Sequence, residues 1–298
     1  MHTAIKRLFF PFLVAGLSLA LLSCGAEEPA PSPGVSSAPP TVISQTPEPS
    51  PGQAEEPTPT PTPEPEPDYP PYEFGTPLEE SEPVGDDSFF DGAVFLGDSR
   101  TEGLQLFSGL KHGDFYWARG MTVFRSDSQD HRVFEVDGQE LTLIGALSQK
   151  PYDAVYIMIG VNELGYTAEQ YERGLGEMLD KVLAAQPDAV VYLQTLPPIN
   201  DAIARKSGLA SYINNAQVTL FNEAIVRVAA EKKVVLLDTA EVYRDEDGQL
   251  ISELAADGCH FTYGGYSRWA DYLRCHVMDP DRYHGLRARA ETETEDME

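Results

Sequence analysis

Positively charged residues are scarce in this 298-residue chain: 21 Lys and Arg stand against 48 Asp and Glu, which gives a formal net charge of −27. Because nucleic acids and other polyanions bind to basic surfaces, this charge argues against nucleic acid as a partner. The chain also lacks a Gly-x-Ser-x-Gly sequence, a phosphate-binding loop and a His-Glu-x-x-His sequence, and its six histidines show no metal-ligand spacing. The sequence therefore predicts no metal site and no cofactor.

Cysteine is rare as well, with only Cys24, Cys259 and Cys275 in the whole chain. A disulfide between the last two is conceivable in an exported protein. However, Cys275 lies about 12 residues into the last predicted helix, which places it about 18 Å along the axis from the helix start. Because the Cα atoms of a disulfide lie within about 7 Å of each other, we expect two free thiols.

The N-terminus has the layout of an export signal. Lys6 and Arg7 precede an apolar run over 8–22 that is too short to span a bilayer comfortably. The run ends in Leu21-Leu22-Ser23-Cys24, which resembles the lipobox of bacterial lipoproteins. The resemblance implies a signal peptide over 1–24 and a lipid on Cys24 that anchors the protein to the outer face of the cytoplasmic membrane, facing the cell wall. An ordinary signal peptide with a chance cysteine is the alternative.

A linker follows the signal. Sixteen of the 24 prolines lie between Pro29 and Pro71, and residues 25–91 contain 15 Asp and Glu but no Lys or Arg. Prolines at this density favour extended polyproline II and prevent a packed core. We therefore divide the chain into a linker over 25–86, a folded domain over 87–284 and an acidic tail over 285–298.

Strand and helix patterns alternate along the folded part, which predicts βαβ units, a parallel sheet of about five strands and an α/β fold. The predicted strands are 93–97, 114–118, 152–159, 188–193 and 233–237; the predicted helices are 99–107, 167–185, 211–231 and 263–276. An Asp137-Gly138 turn predicts a small hairpin between 133–136 and 141–143.

Ligand sites of parallel sheets lie beyond the carboxyl ends of the strands, so the residues that follow each strand are the candidates. Ser99 follows the first strand, Gly120 the second and Asn162 the central one, and Asp257 and His260 precede the final helix. Each has an ordinary explanation, as a helix cap or a turn residue. Together they supply what acyl transfer requires.

These residue types have matching chemical roles. A serine hydroxyl is a weak nucleophile, and His260 can take the proton of Ser99 while Asp257 orients the imidazole. The Ser99 and Gly120 N–H groups and the Asn162 amide can stabilise the oxyanion of a tetrahedral intermediate.

The chain resembles the SGNH (GDSL-type) hydrolases over essentially all of 92–278. The four blocks of that family are matched by Gly97-Asp98-Ser99, Gly120, Gly160-x-Asn162 and Asp257-x-x-His260. The resemblance implies a flavodoxin-like three-layer α/β/α sandwich with a shallow, open active site. It also implies Ser99 as nucleophile, His260 as base, Asp257 as its orienter, and Ser99, Gly120 and Asn162 as the oxyanion hole.

Two residues depart from the family pattern. Arg100 stands where many members have leucine, and Glu163 stands where aspartate is usual. Neither replaces a group with a chemical role, so the departures concern substrate preference. Arg100 and Arg119 could bind a substrate carboxylate, but we favour surface solvation for both.

The sequence thus predicts a serine esterase that removes a short acyl group, such as O-acetyl, from an extracellular or cell-wall glycan or a small ester. The glycan is inferred from the exported location. The alternatives are an acyltransferase that uses the same three residues and a catalytically silent glycan-binding lipoprotein. The sequence contains no signal for oligomeric state.

Overall fold

The computed structural model describes residues 71–295. The predicted signal peptide, Cys24 and the predicted linker up to residue 70 lie outside the described residues. The strands are β1 (Ala93–Gly97), β2 (Asp114–Trp117), β3 (Phe134–Val136), β4 (Gln139–Leu141), β5 (Ala154–Met158), β6 (Val190–Gln194) and β7 (Val235–Leu237). The α-helices are α1 (Ser99–Phe107), α2 (Leu143–Leu147), α3 (Ala168–Ala185), α4 (Asp201–Lys206), α5 (Asn215–Lys232), α6 (Tyr263–Arg274) and α7 (Pro280–Glu295).

The central sheet has the order β2-β1-β5-β6-β7, and all its neighbouring strands are parallel. Helices flank it on both sides: α1 packs against α6, and α3 packs against α5. The predicted five-stranded parallel sheet and three-layer α/β/α sandwich are therefore confirmed. Because the chain turns from β2 back across β1 to β5, the strand order reverses beside β1, where such folds form their clefts.

A row of stacked aromatic rings crosses the sheet and matches its register. Four neighbouring strands each contribute one ring, and each ring is the register partner of the next, in the order Phe115, Phe95, Tyr156 and Tyr192. Their ring centroids are 4.7, 5.0 and 4.4 Å apart. Offset aromatic pairs contribute about 0.5–1.5 kcal/mol each beyond area burial, and a slip of one residue would separate every pair.

The predicted hairpin forms, but its second strand lies two residues earlier than expected. Asp137 and Gly138 both have positive φ, at 50° and 77°, as a two-residue hairpin turn requires. With so short a turn β4 begins at once, at Gln139. Thr142, which we placed inside the strand, instead caps α2 by accepting a hydrogen bond from the Gly145 N–H at 3.0 Å.

Residues 72–84 fall in the stretch for which the sequence predicts a linker, yet they pack along β7 at the edge of the sheet. Leu78 is buried, and its N–H donates to the Leu236 carbonyl at 2.9 Å. Farther along, the Val84 N–H donates to the Arg274 carbonyl at 3.0 Å. The ordered domain therefore begins before residue 87, and this arm covers a sheet edge that would otherwise expose unpaired backbone groups.

The fold also continues past residue 284, because α7 occupies most of the predicted acidic tail. Tyr283 on α7 is buried and contacts Phe74 of the arm, with ring centroids 6.3 Å apart. Cys259 and Cys275 are both free thiols, as expected. Within residues 71–295, no helix is both long enough and apolar enough to cross a bilayer.

Candidate active site

Ser99 is the first residue of α1, directly beyond the carboxyl end of β1. Asp98 forms the N-cap, and its carboxylate accepts the Arg100 N–H at 2.8 Å. Position 97 requires glycine, since a Cβ there would lie 2.4 Å from the Met158 carbonyl oxygen. This geometry places the Ser99 hydroxyl and N–H at a helix N-terminus, where negative charge is stabilised.

Ser99, His260 and Asp257 form one chain of hydrogen bonds. Ser99 Oγ lies 2.9 Å from His260 Nε2, and His260 Nδ1 lies 2.9 Å from Asp257 Oδ2. A carboxylate can only accept, so the Nδ1–H donates to Asp257 and leaves Nε2 to accept the proton of Ser99. The structure thus brings together the three residues that the sequence singles out, in the order that nucleophile activation requires.

The backbone around Asp257 favours its charged form. Its second oxygen accepts the Cys259 and His260 N–H groups at 2.9 and 2.7 Å. Burial alone would raise the pKa of Asp257, but the hydrogen bonds from the backbone and ring of His260 outweigh burial and hold that pKa below its usual value. Asp257 is therefore a carboxylate at neutral pH and can hold the imidazole in one orientation.

The segment that begins α4 contacts the backbone of residues 257–260, here called the Asp–His loop. The Asn200 N–H donates to the Gly258 carbonyl at 2.8 Å. Gly258 has φ +95°, and a Cβ there would lie 2.3 Å from the backbone nitrogen of Ala204. Only glycine suits both the conformation and the space, so the close approach of α4 depends on this residue.

Gly120 and Asn162, the other two predicted oxyanion donors, lie on loops that the structure joins. Gly120 has φ +73° and open space around it. Asn162 Nδ2 donates to the carbonyl of Met121, the residue after Gly120, at 3.0 Å, and lies 3.4 Å from Asp98 Oδ2. The amide thus faces acceptors on both neighbouring segments, and the longer contact to Asp98 is the weaker one.

Arg119 is solvated as expected, whereas the expectation for Arg100 is wrong. The Arg119 side chain is 77 % exposed and forms a two-pronged ion pair with Glu102, both N···O distances being 2.6 Å. Arg100 is 0 % exposed. Its position in the first turn of α1 points it under the Asp–His loop, where its Nε donates to the Cys259 carbonyl at 3.2 Å.

Glu163 is a buried residue of the site to which the sequence reasoning assigned no role. It is 0 % exposed, and its Oε1 accepts the Val123 N–H at 2.6 Å. Burial raises its pKa to about 8, and burial also raises the pKa of nearby Asp98. Its hydrogen bond and that from Asn162 to Met121 join the same two loops. The available signal was a charged residue between Asn162 and Leu164, in the turn that follows a buried strand.

Among the residues that the structure describes, no three His, Cys, Asp or Glu side chains are grouped so that they could hold a metal ion.

Comparisons with known proteins gave matches to one family model and to solved structures. The model of the GDSL-like lipase/acylhydrolase family matches residues 95–268. Among solved structures, a GDSL-like lipase from Bacteroides thetaiotaomicron is similar, with 15 % identity, a TM-score of 0.44 and coverage of 66 % of this chain and 88 % of that one. A lipase/acylhydrolase from Enterococcus faecalis is similar with 20 % identity, a TM-score of 0.41 and coverage of 61 % and 92 %. No curated protein matches the chain.

Proposed function

The chain belongs to the GDSL-like lipase/acylhydrolase family, and on that premise we propose that it is a serine esterase acting on short acyl esters of an extracellular glycan. The observation that carries the esterase proposal is the chain of two 2.9 Å contacts from Ser99 through His260 to Asp257. These contacts supply the activated hydroxyl with which acyl transfer from an ester begins.

In the proposed reaction, Ser99 Oγ attacks the ester carbonyl while His260 Nε2 takes the hydroxyl proton. The tetrahedral oxyanion is stabilised by the N–H groups of Ser99 and Gly120 and by the Asn162 amide, which gives up its weak contact with Asp98. His260 then protonates the leaving alcohol, and water, activated by the same imidazole, hydrolyses the acyl-serine. Each oxyanion donor lost typically costs about 3 kcal/mol of transition-state stabilisation.

The test is reaction of the full chain with a fluorophosphonate, together with hydrolysis of p-nitrophenyl acetate. We expect one phosphonyl group, located on Ser99 by peptide mass spectrometry, and loss of turnover in proportion to labelling. A well-folded protein that shows neither turnover nor labelling would contradict the esterase and favour a silent glycan-binding module.

The glycan part of the proposal is supported by three exposed aromatic rings on or against the two segments that the Val123–Glu163 hydrogen bond joins. Phe124, Tyr166 and Tyr212 are 43 %, 48 % and 48 % exposed. The rings of Phe124 and Tyr166 are 5.1 Å apart, and the Tyr212 ring lies 3.5 Å from where a Cβ of Gly165 would be. Exposed aromatic faces of this kind suit the apolar faces of sugar rings, and the tyrosine hydroxyls can bond to sugar hydroxyls.

We expect a Tyr166→Ala, Tyr212→Ala double variant to raise KM for an O-acetylated polysaccharide by about tenfold, the effect of about 1.4 kcal/mol of lost binding. Its kcat/KM for p-nitrophenyl acetate should change less than about twofold, because that small ester reaches only the reacting groups. Release of acetate is the measurement. Phe89→Ala, which removes a half-exposed ring before β1, is the matched control. Equal losses on both substrates would exclude a sugar-binding role for the two tyrosines.

The location of the enzyme is also a proposal. A lipid on Cys24 would anchor the chain, and the proline-rich residues that follow would hold the domain away from the membrane at up to about 3.1 Å per residue. The expected result is that the full chain partitions into the detergent phase of a Triton X-114 separation when expressed in a bacterium that processes lipoproteins. The Cys24→Ala protein should stay in the aqueous phase. Equal partition of the two proteins would contradict the lipid anchor.

A further inference from the structure

Arg100 is a buried cation beneath the candidate active site. Its side chain starts from the first turn of α1, one residue after Ser99, and is 0 % exposed. The guanidinium donates through Nε to the Cys259 carbonyl at 3.2 Å and through Nη2 to the Cys259 sulfur at 3.6 Å. Its carbon lies 5.4 Å from the centre of the Phe261 ring. One side chain of the serine helix therefore contacts the residues on both sides of His260.

The positive charge of Arg100 interacts electrostatically with a buried carboxyl group. Asp98 is 1 % exposed and caps the same helix turn, accepting the Arg100 N–H. Burial raises the pKa of Asp98, and the positive charge of Arg100 acts in the opposite direction. Asp98 Oδ2 also lies 3.4 Å from Asn162 Nδ2.

A purely structural role explains this arrangement poorly. Moving a cation out of water costs several kcal/mol, and an apolar side chain of similar volume would fill the space without that cost. Moreover, Arg100 Nη1 has no hydrogen-bond partner among residues 71–295, so the guanidinium is not placed there to satisfy its own donors. What the apolar side chain could not do is donate a hydrogen bond to the Cys259 carbonyl.

We propose that Arg100 is a positioning residue of the active site: its side chain fixes the Asp–His loop to the serine helix. The proposal rests on the proposed esterase function and assigns Arg100 no contact with substrate. It explains how His260 is kept within hydrogen-bond distance of Ser99, although the two residues are far apart in sequence and only one of them is on a helix. Misplacement of a reacting group by about 1 Å can cost about 10²-fold in rate.

The test compares Arg100→Met, Arg100→Lys and Arg268→Met in the full chain. Arg268 is the matched control because it is exposed and donates to a backbone carbonyl, that of Val242, at 2.8 Å. The first readout is hydrogen exchange, measured by mass spectrometry on peptides that contain the Asp–His loop and on peptides from β1 and β6. The second is kcat and KM for p-nitrophenyl acetate.

For Arg100→Met we expect faster exchange in the loop peptides than in the strand peptides, and a kcat lower by about 10–100-fold with KM within about twofold. Arg100→Lys keeps the charge and one donor, so it should recover part of the lost kcat. Arg268→Met should match the wild type in both readouts. A role in stability alone would speed exchange in loop and strands together and leave kcat per folded molecule unchanged.

Wild-type kcat and loop exchange in folded Arg100→Met would overturn the inference. If Arg100→Met does not fold, the same two readouts on Arg100→Lys decide, with lowered kcat and faster loop exchange in support and unchanged values against. Failure of the esterase proposal has a different signature, because the wild type itself would then show no turnover. The exchange comparison would still report whether Arg100 fixes the loop.

Discussion

Replacing Ser99 with alanine should lower kcat for p-nitrophenyl acetate hydrolysis by about 10⁴–10⁶-fold, since the remaining imidazole and carboxylate have no hydroxyl to activate. Asp257→Asn should lower kcat by about 10⁴-fold, because an asparagine amide facing Nδ1 favours the tautomer in which Nε2 carries the proton. That imidazole cannot accept the Ser99 proton across the 2.9 Å contact.

The double variant should be hardly worse than Ser99→Ala alone, because the residues act as one unit. Steady-state kinetics of the wild type, the two single variants and the double variant form a double-mutant cycle. Fluorophosphonate labelling should be lost in both variants that lack Ser99. Ser148→Ala is the matched control, because its hydroxyl donates to the Ile144 carbonyl, at 2.8 Å, at the end of α2. Multiplicative losses in the double variant would mean that Ser99 and Asp257 act independently, contrary to the mechanism.

The sequence predicts the long elements of this fold well, because their patterns depend on the core. The predicted helix over 167–185 is α3. Its N-cap, Thr167, accepts the Gln170 N–H through its side chain, and the Gln170 side chain accepts the Thr167 N–H in return. The apolar run over 152–159 contains β5, and four of its five strand residues are buried. The spacing of apolar residues in these elements follows from which side chains are buried against the sheet. It can therefore be recognised in the sequence of the element itself.

Short helices escape the same reasoning because their ends are set by contacts made elsewhere. The six-residue α4 begins after Asn200, whose N–H is held by the distant Gly258 carbonyl. The arm over 72–84 contains two prolines, four glutamates and no Lys or Arg, a composition typical of a linker, and its order depends on the contact of Leu78 with the edge of β7. An isolated helix as short as α4 is marginal in water, so tertiary contacts decide whether it forms.

The candidate site likewise contains residues that the sequence identifies and residues that only the folded chain identifies. Residue types and strand ends point to Ser99, His260 and Asp257, because a serine, a histidine and an aspartate are chemically distinctive. The environments of Arg100 and Glu163 are set by which side of a turn faces inward, and both charged residues would ordinarily be placed at the surface. Their burial is visible only in the folded chain.

Glu163 should make the free energy of unfolding depend strongly on pH. The ordinary glutamate pKa is 4.5, and burial raises that of Glu163 to about 8. Between these values the folded state holds a proton that the unfolded state has released, so stability falls as pH rises through this window. The fall is about 1.4 kcal/mol per pH unit and ends once Glu163 ionises in the folded state as well.

Glu163→Gln should remove this slope, because glutamine resembles the protonated carboxyl and its Oε1 can still accept the Val123 N–H. Urea unfolding of both proteins at pH 5.5, 6.5 and 7.5 is the measurement, and the variant should gain about 1.4 kcal/mol per pH unit relative to the wild type. Glu177→Gln, on the exposed face of α3, is the control and should follow the wild type. Parallel wild-type and Glu163→Gln curves would mean that Glu163 is already ionised in the folded protein. In that case a negative charge would lie against the turn that carries Asn162, which would weaken the oxyanion site proposed for it.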